Sequence, residues 1–219
     1  MNRRGLVLSV LAVGAAGFGG AAWYATRPLP LAEAESVTPE VNDALIRPYS
    51  PILGPKDAPV TIVEFFDPAC EGCAAFYPIV EDIMEQYPED VRVVIRYTPF
   101  HGQISETAIK LLEAARMQGK FEAVLQSLVA YQRAWASHGN ENIKKIGDIA
   151  AGAGLDLEEA MIQIKSTDII AIFNQDRADV ETVGIRQTPT FFVNGKPLNQ
   201  FGEAELRRLV AAEVAASQS

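Results

Sequence analysis

Cysteine is scarce in this 219-residue chain: there are two, and both lie in Cys70-Glu71-Gly72-Cys73. No further cysteine is left to staple the fold, so a disulfide-built scaffold is excluded and any thiol chemistry must use this pair. Histidine is as sparse, with only His101 and His138, neither spaced like half of a zinc finger. Zinc wants four such ligands at paired spacings, which discounts a metal site. Excess positive charge is also lacking. With 19 Lys and Arg against 28 Asp and Glu the net charge is −9, and nucleic acid is not an expected partner.

Residues 5–26 lack charge altogether, behind Arg3 and Arg4. Such a stretch is long enough to span a hydrocarbon core of ~30 Å, and the basic flank favours holding its N-terminal end in the cytoplasm. Trp23 and Tyr24 stand where an interfacial aromatic belt would fall. We therefore expect residues 1–26 to be an inner-membrane anchor, with the remainder on the periplasmic, extracytoplasmic side. The competing reading is a signal peptide whose cleavage leaves a soluble periplasmic domain. A lipid anchor is excluded, because no cysteine lies near the N-terminus. Residues 27–55 carry recurrent prolines with Glu33 and Glu35 between them and read as an extended linker with little to pack.

The folded domain is expected over 56–219. Val60-Thr61-Ile62-Val63-Glu64-Phe65-Phe66 is β-branched and aromatic, the length of one buried strand, and Asp67-Pro68-Ala69 breaks it. Beyond the cysteines, Ala74, Phe76, Tyr77, Val80, Ile83, Met84 and Tyr87 recur at helical spacing. The pair therefore sits at a strand-to-helix turn, with Cys70 near the helix N-terminus. Unpaired N–H groups and the helix dipole favour an anion there, so Cys70 should ionise more readily than a free thiol. A thiolate is the nucleophile of disulfide exchange, and Cys73 lies one turn away. A lone CxxC also fits a structural disulfide or half of a metal site.

Val91 to Tyr97 alternates apolar residues against Arg92 and Arg96 and reads as a second strand. Helical patterns follow without strand signals over about 103–184, including stripes from Ile104 to Ala115 and from Phe121 to Trp135. Strand character returns at Thr190-Phe191-Phe192-Val193; Asn194-Gly195 marks a hairpin, and a helix from about Glu203 to Ala216 closes the chain. The fold class is thus α/β, a central mixed sheet flanked by helices with an inserted helical subdomain.

These residues resemble a DsbA-like member of the thioredoxin superfamily from Lys56 onward. Glu64, six residues before Cys70, occupies the place of the superfamily's buried carboxylate, and Pro78 that of its helix proline. Thr188-Pro189-Thr190-Phe191 resembles the second signature, whose proline follows a cis bond and faces the cysteines. The resemblance implies Cys70 as nucleophile, Cys73 as resolving thiol, Glu64 as its proton acceptor, and Thr188 and Pro189 as the groove for a client backbone. Glu71 and Gly72 stand where typical oxidants carry Pro-His, and we expect Glu71 to oppose the thiolate and make the poise less oxidising. His101 reads as a hydrogen-bonded loop histidine and His138 as a solvated turn residue.

The expected function is thiol:disulfide oxidoreductase, exchanging the Cys70–Cys73 disulfide with cysteine-containing client proteins and recycled by a membrane redox partner. No bound cofactor is expected. The alternatives are a reductase or isomerase kept reduced, and a non-enzymatic metal-handling or adaptor module on the same scaffold.

Overall fold

The β-branched run Val60–Phe66 is a fully buried strand at the heart of a five-stranded sheet. The computed structural model of the protein describes residues 39–218. The expected membrane segment, 1–26, and residues 27–38 of the linker lie outside them. In chain order, helix α1 (Pro39–Leu45) and strand β1 (Ile52–Leu53) precede β2 (Val60–Phe66), helix α2 (Glu71–Gln86) and β3 (Val91–Tyr97). Six helices follow without an intervening strand: α3 (Gln103–Met117), α4 (Phe121–Ala130), α5 (Gln132–Trp135), α6 (Ile143–Gly152), α7 (Leu157–Gln163) and α8 (Thr167–Val183). Strands β4 (Thr190–Val193) and β5 (Lys196–Pro197) and helix α9 (Glu203–Ser217) complete the domain.

The sheet order is β1-β3-β2-β4-β5. Only β2 and β3 are parallel, joined through α2 as a parallel crossover requires. Their register pairs Phe66 with Tyr97, so the loops that follow the two strands emerge side by side at one end. Pro197 sits in the edge strand β5, where its missing N–H leaves no ladder bond unmade. Helix boundaries follow local chemistry. The Ser166 hydroxyl accepts from the Ile169 N–H at the start of α8, and Gly184 ends it at φ 76°.

Side chains of β2 alternate between two cores. Val60, Ile62 and Phe66 join the larger one, with α2, the inserted helices and α9, while Val63 and Phe65 join a smaller one with Leu45, Val94, Val180 and Phe192. Glu64 is in phase with the first set and so faces the core that contains both cysteines.

Two expectations change. The linker does not run extended to residue 55: Pro39–Leu45 is helical, Ile52–Leu53 pairs with β3, and Ala44 and Leu45 are each 1% exposed. Prolines flank these short elements instead of interrupting them, and four apolar residues suffice to dock them, so the folded domain includes residues from 39 onward. Arg96 also departs from the alternating pattern as read, being fully buried. Its guanidinium donates to Asp176 at 2.8 Å and Asp179 at 2.6 Å on α8 and to the Ala44 carbonyl. Arg47 donates to Asp179 at 2.6 and 2.8 Å, tying the segment after α1 to the same carboxylates.

Asp176→Ala would strip partners from Arg96, from the Tyr97 N–H and from the Tyr49 hydroxyl together. Arg96 and Arg47 would then share the single carboxylate of Asp179, which leaves one positive charge of the buried cluster uncompensated, and the expected loss is about 3–5 kcal/mol. Urea unfolding measures it, and a loss under about 1 kcal/mol, the range of an exposed pair, would contradict the account.

Candidate active site

Cys70 is the N-cap of α2, at φ −79° and ψ 122°, and its N–H donates to the Asp67 carbonyl at 3.0 Å. The two sulfurs are unequally placed, with Cys70 9% exposed at the surface and Cys73 wholly buried. Both are thiols in this structure. Acidity diverges accordingly. A hydrogen bond from the Cys73 thiol, opposed by burial and helped by the Thr188 side chain and the N–H groups of Cys73 and Gly72, lowers the Cys70 thiol from 9.0 to about 5. Burial first, then the bond to Cys70 and the charge of Glu64, push Cys73 well above its ordinary value. A thiolate forms at the reachable sulfur and a thiol persists at the hidden one.

Glu64 lies beneath the pair in the middle of β2, 3% exposed, and its Oε1 has no hydrogen-bond partner. Burial, with a smaller effect of Cys70, raises its carboxyl from 4.5 to about 8. An unpartnered buried carboxyl of that acidity can hold or release a proton near neutrality.

Thr188 and Pro189 come from the far side of the insertion. Their peptide bond is cis, and the Cys70 thiol donates to the Thr188 carbonyl at 3.3 Å. Gly72 makes the approach possible, because a Cβ there would stand 3.1 Å from Pro189 Cδ, 3.4 Å from the Thr188 oxygen and 3.5 Å from Cys70 Sγ. Its place in the motif is therefore steric as much as electrostatic. Glu71 points away from this contact: its carboxylate is 67% exposed and 4.0 Å from His138 Nδ1.

Asp67, His101 and His138 have no chemical role assigned from sequence, and the structure brings all three to the turn that carries the cysteines. Asp67 is fully buried; its N–H donates to Cys73 Sγ at 3.4 Å. One carboxylate oxygen accepts the Ala69 N–H at 2.9 Å; the other accepts the Phe100 and His101 N–H groups at 2.8 and 3.2 Å and lies 2.7 Å from His101 Nδ1. The hydrogen-bonded loop expected of His101 is present, and its ring also lies 5.7 Å from that of His138. A usable signal existed: His101 follows the strand parallel to the one that delivers the cysteines. Trp135, by contrast, is core, fully buried with its indole N–H on the Leu128 carbonyl.

A CxxC at a helix N-terminus, a cis-proline loop against its first sulfur and a carboxylate under the second define the class of thioredoxin-like thiol–disulfide exchange proteins. The thioredoxin family (Thioredoxin_4) matches residues 47–212, and the chain belongs to it. Among solved structures it is similar to a thioredoxin-like oxidoreductase from Silicibacter pomeroyi DSS-3, with 30% identity, a TM-score of 0.68 and coverage of 80% of this chain and 96% of that one. It is also similar to oxidised BdbD from Bacillus subtilis, at 25% identity and TM-score 0.68 over 76% and 93% of the two chains. It is similar as well to the catalytic domain of Proteus mirabilis ScsC, at 26% identity and TM-score 0.66 over 80% and 94% of the two chains. A curated relative, the Na(+)/H(+) antiporter NhaA of Herminiimonas arsenicoxydans, is 33% identical over 193 residues, covering 88% of this chain and 28% of that protein. The chain thus spans about a quarter of the length of the curated relatives it matches.

Alkylation of Cys70 should follow its thiolate, rising with pH to a midpoint of about 5 and then levelling. Cys73→Ala removes the largest acidifying contact, so the midpoint should move upward; a wild-type midpoint near the ordinary 9.0 would contradict this geometry.

Proposed function

We propose that the protein is a thiol:disulfide oxidoreductase that works outside the cytoplasm and passes its Cys70–Cys73 disulfide to cysteine-containing clients. The observation that carries this reading is the asymmetry of the pair, one sulfur at the surface against the Thr188 carbonyl and the other sealed above Glu64. A client thiolate attacks Cys70 Sγ, forming a mixed disulfide as the Cys70–Cys73 bond breaks. Cys73 leaves with the electron pair and takes a proton, for which the Glu64 carboxyl is the nearby source. The client's second thiolate then attacks its own sulfur in the mixed disulfide and releases Cys70 as a thiolate. Two electrons have moved from client to protein.

Disulfide donation is favoured over reduction because a stabilised Cys70 thiolate stabilises the reduced enzyme and makes its disulfide the stronger oxidant. Thr188 and Pro189 would receive the client backbone as an added strand. The cycle needs no bound cofactor, and a membrane redox partner would restore the disulfide. Delivery outside the cytoplasm rests on the uncharged stretch 5–26 behind Arg3 and Arg4. Among the described residues no helix is long and apolar enough to cross a membrane.

The decisive experiment equilibrates the purified protein with glutathione and presents it with a dithiol peptide. Wild type should oxidise the peptide, Cys70→Ala should not, and Cys73→Ala should hold the client in a mixed disulfide that dithiothreitol releases. A protein that never exchanges with glutathione would sink the proposal. Glu64→Gln should fold normally yet slow the step at Cys73 by roughly a hundredfold at neutral pH, the lower end for a positioned proton carrier. Its pH–rate profile should lose the limb near 8 that the wild-type carboxyl supplies.

A further inference from the structure

The chain's two histidines, far apart in sequence, meet beside Cys70. Their partners bracket that residue: Asp67 holds His101 Nδ1 at 2.7 Å, the two rings are 5.7 Å apart, and His138 Nδ1 lies 4.0 Å from Glu71 Oε1. Cys70 is the residue immediately before Glu71, and its N–H is fixed on the Asp67 carbonyl. The Asp67–His101–His138–Glu71 chain therefore begins and ends on the turn that carries the nucleophile. A carboxylate on Nδ1 fixes the tautomer, leaving Nε2 to bind the exchangeable proton.

We propose that His101, held by buried Asp67 and backed by His138, is a proton-binding site coupled to the redox state of Cys70, so that reduction of the Cys70–Cys73 disulfide is accompanied by proton uptake at this imidazole. It rests on Cys70 being the redox nucleophile. The disulfide is neutral, whereas its reduction leaves a thiolate at Cys70, and a negative charge beside an imidazole favours the imidazolium. By linkage, the imidazolium favours the thiolate to the same extent. When a client dithiol gives up two electrons and two protons, one proton ends on Cys73 and the other divides between His101 and solvent.

The charge balance around His101 has the required sign. Asp67 comes from the loop after β2, Cys70 and Glu71 from the start of α2, and His138 from the loop before α6; Ser105 of α3 only accepts the His101 N–H at 3.2 Å. The hydrogen bond to Asp67 is the largest influence raising the pKa of His101 above 6.5; burial opposes it, and the charges of Asp67, Cys70 and Glu71 add to it. The His138 ring is the other imidazole that faces His101, 5.7 Å away. His101 is a positioning residue acting through Cys70, and it supplies from the β3–α3 loop the imidazole that Glu71-Gly72 does not.

The test is an NMR titration of the His101 imidazole in the full-length wild-type protein, once with the disulfide formed and once reduced. The expected result is a higher midpoint in the reduced form, by a few tenths to one pH unit at the effective dielectric of a protein surface. Equal midpoints in the two forms would overturn the proposal, and no variant is needed to see it. His101→Gln, with folding checked by circular dichroism, should shift the glutathione equilibrium roughly three- to tenfold toward the disulfide form, and the shift should vanish at alkaline pH where wild-type His101 is neutral. An unshifted equilibrium, or a shift of the same size at every pH, would equally overturn it. Failure of the wild type to exchange with glutathione at all would be a different outcome, counting against the proposed function itself.

Discussion

Asp67 is the constraint from which the active end of the molecule is built. A carboxylate with no exposure must have all its acceptor capacity used, and here both oxygens and both of its backbone groups are engaged. Those bonds fix the turn that ends β2, the N-cap of α2, the buried sulfur and the loop after β3. Parallel pairing of β2 with β3 is what brings that second loop within reach. The cysteine turn is thus rigid because one buried charge joins two loops that leave the sheet at the same end.

Two further charges are buried on the sheet, and they do opposite things. Arg96 faces the smaller core with two carboxylate partners on α8 and the Ala44 carbonyl of α1, an arrangement that fixes position at the cost of desolvation. Glu64 faces the larger core with one oxygen unpartnered. The satisfied charge fastens elements together. The unsatisfied carboxyl, its acidity weakened by burial, keeps its proton up to a pH of about 8 and contributes little to position.

Much of this architecture was legible in local patterns. The runs 60–66 and 91–97 and the helical stripe after Cys73 carry their period in consecutive residues, whereas the place of Glu64 beneath the cysteines is implied by the resemblance. The burial of Arg96 was not legible, because its partners lie 80 and 83 residues further on. Nor was docking of residues 39–53, where short apolar pairs between prolines look like spacer until a sheet edge receives them. His101 in a loop and His138 in an exposed turn are each evident from their neighbours in the chain. Their meeting depends on the packing of helices α3 to α5 between them, which no local pattern encodes.

Gly72 has an implication for how this site can change over time. The helix end and the Thr188–Pro189 loop are in contact across a position with no side chain, where even one added carbon would meet Pro189 at 3.1 Å. Glu71, beside it, faces solvent and makes no contact with that loop. The motif's two inner positions are therefore constrained by different neighbours. Position 71 answers to the histidines, whereas a replacement at 72 must be accompanied by movement or substitution in a loop more than a hundred residues away.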